Sequence, residues 1–176
     1  NDIQVHTTPD SLRSVLNEAD RIIGHNLIGF DCRVLDSVWD IHIARSCVVD
    51  TLYLSRLYNP SQDGGNSLRN WGAILGGTGK LDFTDYDGGL CDEMIEYCIA
   101  DVELTEQVHK WLELQLRNEN FSQQSIDLEH SVGWAVTEQE QNGFKLDTEY
   151  ADKLMMDLMF EMNNIEAELQ SIFPPI

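Results

Sequence analysis

The chain has 176 residues, 42% hydrophobic and 24% charged, a balance that excludes a disordered or collagen-like polypeptide and suits one globular domain with a remainder. Eleven basic residues against 31 acidic ones leave 11 − 31 = −20, with no Lys/Arg stripe to track a phosphate backbone. That disfavours tight, salt-driven duplex binding by these residues alone, but does not exclude a metal-dependent nuclease whose site is built from carboxylates. No apolar run approaches the roughly 18 residues a membrane span needs, and nothing resembles a signal peptide. Cys32, Cys47, Cys91 and Cys98 lack C-x-x-C spacing and read as reduced thiols of a cytosolic protein.

In chain order, Ile3–His6 alternates as a short strand would. Asp10 is placed as the cap of a helix carrying Leu12, Val15, Leu16 and Ala19 at helical spacing. Arg21–His25 is a short apolar run ending in a turn, the form of a buried parallel strand, and a helix of about ten residues follows from Phe30. Cys47-Val48-Val49 gives a second buried strand ended by Asp50-Thr51, and Leu52–Tyr58 reads as helix. This alternation predicts an α/β layer architecture.

Asn59–Asn66 is a loop, Ser67 caps a helix through Leu75, and Gly76–Gly89 is turn-rich. Leu90 to about Leu116 is one long amphipathic helix, its stripe set by Ile95, Cys98, Val102, Val108 and Leu112. Arg117–Ser125 reads as a linker, and Ile126–Gln141 as a helix stopped at Asn142-Gly143. Asp147 or Thr148 opens a last helix, with Leu154, Leu158, Met162, Ile165, Leu169 and Ile172 on one face. It would be roughly 37 Å long and ended by Pro174-Pro175. That stripe needs a partner no later residue supplies, so the chain reads as cut from something larger.

Three segments combine into chemistry. His25-Asn26-Leu27-Ile28-Gly29-Phe30-Asp31 leaves a buried strand and puts Asp31 in the opening of a helix. Asp50 ends the next strand, and Tyr97 and Asp101, four apart, share one helix face. Strand ends of a parallel layer converge on one rim, and carboxylates gathered there can hold two divalent metals about 4 Å apart for in-line attack on a phosphodiester. Taken singly, Asp31 and Asp50 also read as helix caps, Tyr97 and Asp101 as an exposed hydrogen-bonding pair, and His25 as a polar group at a strand end.

Asn26–Asp31 (N-x-x-x-F-D) resembles the second motif of DnaQ-like (DEDD, RNase H-fold) 3′–5′ exonucleases. Tyr97–Asp101 (Y-x-x-x-D) resembles their third motif in its tyrosine form. The segments 47–57 and 67–76 resemble the proofreading domain of short-tailed-phage family A DNA polymerases. Glu129 and Glu138 with Asn142–Asp147 resemble the helix and turn that open that family's polymerase domain.

The resemblance implies a partial RNase H-like exonuclease region over 1–120, then a connecting helix and first thumb helix over 121–176. In it, Asp101 holds the metal that activates the attacking water, and Tyr97 orients that water. Asp31 acts on a second metal at the leaving 3′ oxygen, Asn26 and Phe30 shape the loop around the terminal nucleotide, and Asp50 lies behind them without metal contact. The implied cofactors are two Mg²⁺ or Mn²⁺ ions. The implied partners are a DNA primer 3′ end and the rest of a polymerase chain, acting in the cytoplasm of a bacterial host. Relatives recruit host thioredoxin through an insertion farther along the thumb.

The family's first motif, D-x-E on the first strand, is missing. Asp2-Ile3-Gln4 ends in an amide and stands too near Asp31, and the triplets at Asp101–Glu103, Asp127–Glu129 and Asp147–Glu149 fall on helices. The expectation is therefore a chain that begins inside the domain, inactive as a fragment and unstable along an open sheet edge. A catalytically dead exonuclease-like module that supports a polymerase or holds DNA is the alternative. A free-standing nuclease fits poorly with the long last helix.

Overall fold

The structure is a computed structural model, and it describes residues 3–76 and 89–173. Two compact units divide it, Asn1–Gln139 and Glu140–Ile176. The first opens with α1 (Pro9–Glu18), where Pro9, without an amide donor to waste, takes the first turn behind Thr8. Asp10 therefore sits inside the first turn, beside the positive end of the helix, and is not its cap. Ile3–His6 forms no strand; no described strand lies against it, and a lone strand cannot satisfy its own backbone.

β1 (Ile22–Gly24) and β2 (Val48–Asp50) pair in parallel, Ile22 opposite Val48 and Gly24 opposite Asp50. The helix expected from Phe30 begins as a wide turn over Leu27–Asp31 and becomes regular only in α2 (Cys32–Trp39). Asp50 caps α3 (Thr51–Tyr58), its carboxylate accepting the Leu52 amide at 2.9 Å. Ser67 caps α4 (Leu68–Ile74) by accepting the Asn70 amide. Among the described residues the sheet has these two strands alone. The chain is thus mostly helical around a small parallel sheet, compatible with an α/β fragment.

α5 (Asp92–Asn118) runs past the expected end, and α6 (Gln123–Asn142) starts before Ile126, so the linker read over 117–125 shrinks to a tight turn. The stripe of α5 also differs from expectation. Val102 is 65% exposed and Cys98 is exposed, whereas Leu104, Val108, Leu112 and Leu116 are buried at steps of four. Val102 and Val108 are six apart and cannot share a face, and the register of Val108 and Leu112 extends back through Thr105 to Asp101. Asp101 therefore occupies the inward face of the helix.

The main core joins α3, α4 and α5 through Leu54, Leu68, Trp71, Val108 and Leu112. Trp71 is fully buried, and its indole N–H donates to Ser55 Oγ at 2.9 Å, which removes the penalty of hiding a polar atom. A smaller cluster of Leu27, Ile28, Cys32 and Val48 packs against Tyr53 and against Trp134 of α6.

In the second unit, Asp147 caps α7 (Thr148–Ile172) by accepting the Tyr150 amide at 2.9 Å, as the sequence suggested. Its apolar residues, Leu154, Leu158, Met162, Ile165 and Leu169 among them, are exposed. The turn-rich segment is described only at its ends, and Asp2 and the closing prolines also lie outside the described residues. All four cysteines are free thiols. No described helix is long and apolar enough to cross a membrane.

Leu112→Ala should lower unfolding free energy by about 2–5 kcal/mol, since it empties a fully enclosed site in the main core. Val102→Ala, on the outward face, should change it by under about 0.5 kcal/mol. Urea denaturation followed by circular dichroism compares the two.

Candidate functional site

The site starts from a buried carboxylate. Asp50 is fully enclosed at the end of β2, and its oxygens accept three backbone amides. Oδ1 takes Asn26 N–H at 2.8 Å and Leu52 N–H at 2.9 Å, and Oδ2 takes Ile28 N–H at 2.9 Å. One side chain thus caps α3 and clamps the turn after β1. Asn26 enters that turn in the left-handed region at φ 64°, and its amide side chain folds over Gly29, where a Cβ would stand 2.6 Å from Asn26 Oδ1. With the turn held at both ends, Asp31 is delivered to the mouth of β1.

Asp31 and Asp101, from segments far apart in sequence, line one cavity of about 370 Å³, together with His25, Thr105, Glu106 and His109. Asp101 keeps one carboxylate oxygen, Oδ1, withdrawn from solvent. Burial, reinforced by the nearby charge of Asp50 and partly offset by a backbone hydrogen bond, raises the Asp31 pKa above its ordinary value. Thr51 Oγ1 donates to Gly24 O at 3.1 Å, so its contact with His25 Nδ1 at 2.9 Å makes that nitrogen the donor.

The other expected residues stand apart from that cavity wall. Tyr97 is half-buried one turn before Asp101 on α5 and does not line the cavity. Phe30 is 60% exposed, beside Asp31 in sequence, and Asn26 is spent on the turn. Asp50, with its oxygens filled by amides, acts on the site by holding Asp31's turn and through its charge on Asp31.

This chain is similar to phage DNA-directed DNA polymerases. It is 24% identical to that of Escherichia phage T7 and 24% identical to that of Enterobacteria phage T3, each match covering 93% of this chain and 31% of the relative. The chain thus spans about a third of the length of the curated relatives it matches. No protein-family model matches it.

Sequence reasoning missed His109, two helical turns beyond Asp101. Burial, with Arg21 and Lys110 adding and Glu113 opposing, lowers its pKa and keeps the imidazole neutral near pH 7. The only advance signal was its place on the inward register of α5. His109 also borders a larger cavity of about 810 Å³ that contains Arg21, Arg45, Arg117 and His130 but neither site carboxylate. Cys32, directly after Asp31, has its thiol pushed up to about 12, by burial first and then by the charges of Asp31 and Asp50, so it is no nucleophile at neutral pH.

The Asp31 and Asp101 carboxylates, with Glu106 on the same cavity, suit a divalent cation without completing its coordination. Among the described residues no group of three or more His, Cys, Asp or Glu side chains is arranged to hold a metal.

Two substitutions separate these roles. Asp50→Ala strands three amides and should destabilise by about 3–5 kcal/mol. For Asp31, a raised native pKa means the folded state binds the proton more tightly. Stability therefore falls as pH climbs from the ordinary carboxylate range through the raised value, then levels. Asp31→Asn removes that penalty, so it should raise Tm at pH 7 and leave Tm near pH 3 unchanged; scanning calorimetry at both pH values reads the sign.

Proposed function

We propose that this chain is the proofreading 3′–5′ exonuclease region, with the first thumb segment, of a phage-type replicative DNA polymerase. The observation that carries the reading is that Asp31 and Asp101 open on one cavity at the mouth of β1. Similarity to the T7 and T3 polymerases supports the polymerase class and DNA as substrate. The two exonuclease-like motifs, in family order, support the proofreading assignment.

In the full polymerase, Asp31 and Asp101 would offer carboxylate oxygens to Mg²⁺ or Mn²⁺, joined by two carboxylates that the described strands do not supply. Bound divalent ions supply a more acidic water and neutralise charge at the scissile phosphate. The chain's own residues do the rest. Tyr97, one turn from Asp101, would orient the attacking water through its hydroxyl, a positioning task. Phe30, with its ring exposed, would stack on the terminal base, and Asn26 would fix the turn beneath it. The acidic surface disfavours long duplex contacts, so the substrate is a short, frayed 3′ end gripped locally.

The test is digestion of 3′-labelled single-stranded DNA in Mg²⁺ or Mn²⁺. The full polymerase should digest it, losing at least about a thousand-fold with Asp31→Ala or Asp101→Ala and about ten-fold or more with Tyr97→Phe. The 176-residue chain alone should release almost nothing. Vigorous digestion by that chain, or a full polymerase indifferent to Asp101→Ala, contradicts the proposal. A full polymerase with no exonuclease activity at all favours the inactive module.

A further inference from the structure

The Asp50 clamp has a second handle. His130, on α6, reaches across to β2, and its Nε2 accepts the Asp50 backbone N–H at 2.9 Å. Its other nitrogen, Nδ1, lies 2.8 Å from Ile126 O, a carbonyl that can only accept. The ring is therefore the neutral Nδ1–H tautomer, and it is held from both sides.

The helix that carries it is docked closely. Gly133 meets α3 so tightly that a Cβ there would stand 2.6 Å from the Tyr53 ring. The Tyr53 and His130 rings lie 6.2 Å apart, Arg45 sits 5.1 Å over Trp134, and Arg45 pairs with Glu138.

We infer that His130 is a positioning residue for the site. It fixes the Asp50 backbone, whose carboxylate in turn fixes the amides of Asn26 and Ile28 in the turn that delivers Asp31. Helix α6 is thereby tied to the carboxylate through one polar chain, α6 to β2 to the turn. This rests on the exonuclease reading only for what Asp31 is positioned to do; the connection itself is physical.

The test uses this 176-residue chain and needs no nuclease activity. His130→Phe keeps a ring against Tyr53 and removes the acceptor, whereas His130→Gln keeps an acceptor at a similar reach. Hydrogen exchange at the Asn26 and Ile28 amides should quicken roughly ten-fold in His130→Phe and return to within about two-fold of the parent in His130→Gln. Core amides such as Val108 and Leu112 should hold their rates in both.

Equal acceleration everywhere, or none at Asn26 and Ile28, overturns the inference. In the unaltered chain, a scalar coupling across the Asp50 N–H to His130 Nε2 hydrogen bond should be measurable, and its absence at pH 7.5 overturns it whether or not either variant folds. A nuclease-dead full polymerase would remove the exonuclease reading and leave these results standing.

Discussion

A carboxylate with no access to water organises this domain. Burying an ionised side chain is tolerable only when its oxygens are filled, and Asp50 fills them with three amides drawn from two segments of chain. Because those amides belong to the turn after β1 and to the start of α3, the parallel register of the strands, the helix cap and the delivery of Asp31 are one arrangement. Gly24 stands opposite Asp50 in the sheet, so both strands end at the same level, where the cavity opens.

That arrangement carries a local electrostatic cost. Asp31 is half-buried with the Asp50 charge in its neighbourhood, and its ionised form is disfavoured by both. A folding domain gains nothing from keeping an acid there. The Asp50 charge that penalises the bare Asp31 carboxylate would favour a positive partner beside it. The net charge of −20 adds to that electrostatic bias and disfavours extended contact with a phosphate backbone.

The sequence exposed the parts with local signatures. Ser67 and Asp147 announce their helices through short-range caps, and the apolar runs ending at Gly24 and Asp50 mark both strands. Asp10 was misread as the cap of α1 because a proline takes the first helical turn and moves the cap back to Thr8. The stripe of α5 was misjudged because two overlapping registers, one through Val102 and one through Val108, cannot both face inward, and only packing against Trp71 and Leu54 decides between them. Asp50 was legible as the cap of α3, but its hold on Asn26 and Ile28 and the reach of His130 to β2 were not. Each depends on a side chain meeting the backbone of a residue 22 or more positions away, and no spacing rule encodes that.

The most direct measurement of whether Asp31 and Asp101 share one cation-attracting cavity is paramagnetic broadening of ¹³C-labelled carboxylates during titration with Mn²⁺. The Asp31 and Asp101 signals should broaden together at substoichiometric Mn²⁺, ahead of exposed acids such as Asp157 and Glu161 on α7, and Asp101→Asn should abolish the effect at Asp31. Broadening of only one of the pair, or of both no earlier than the surface acids, would contradict a shared site.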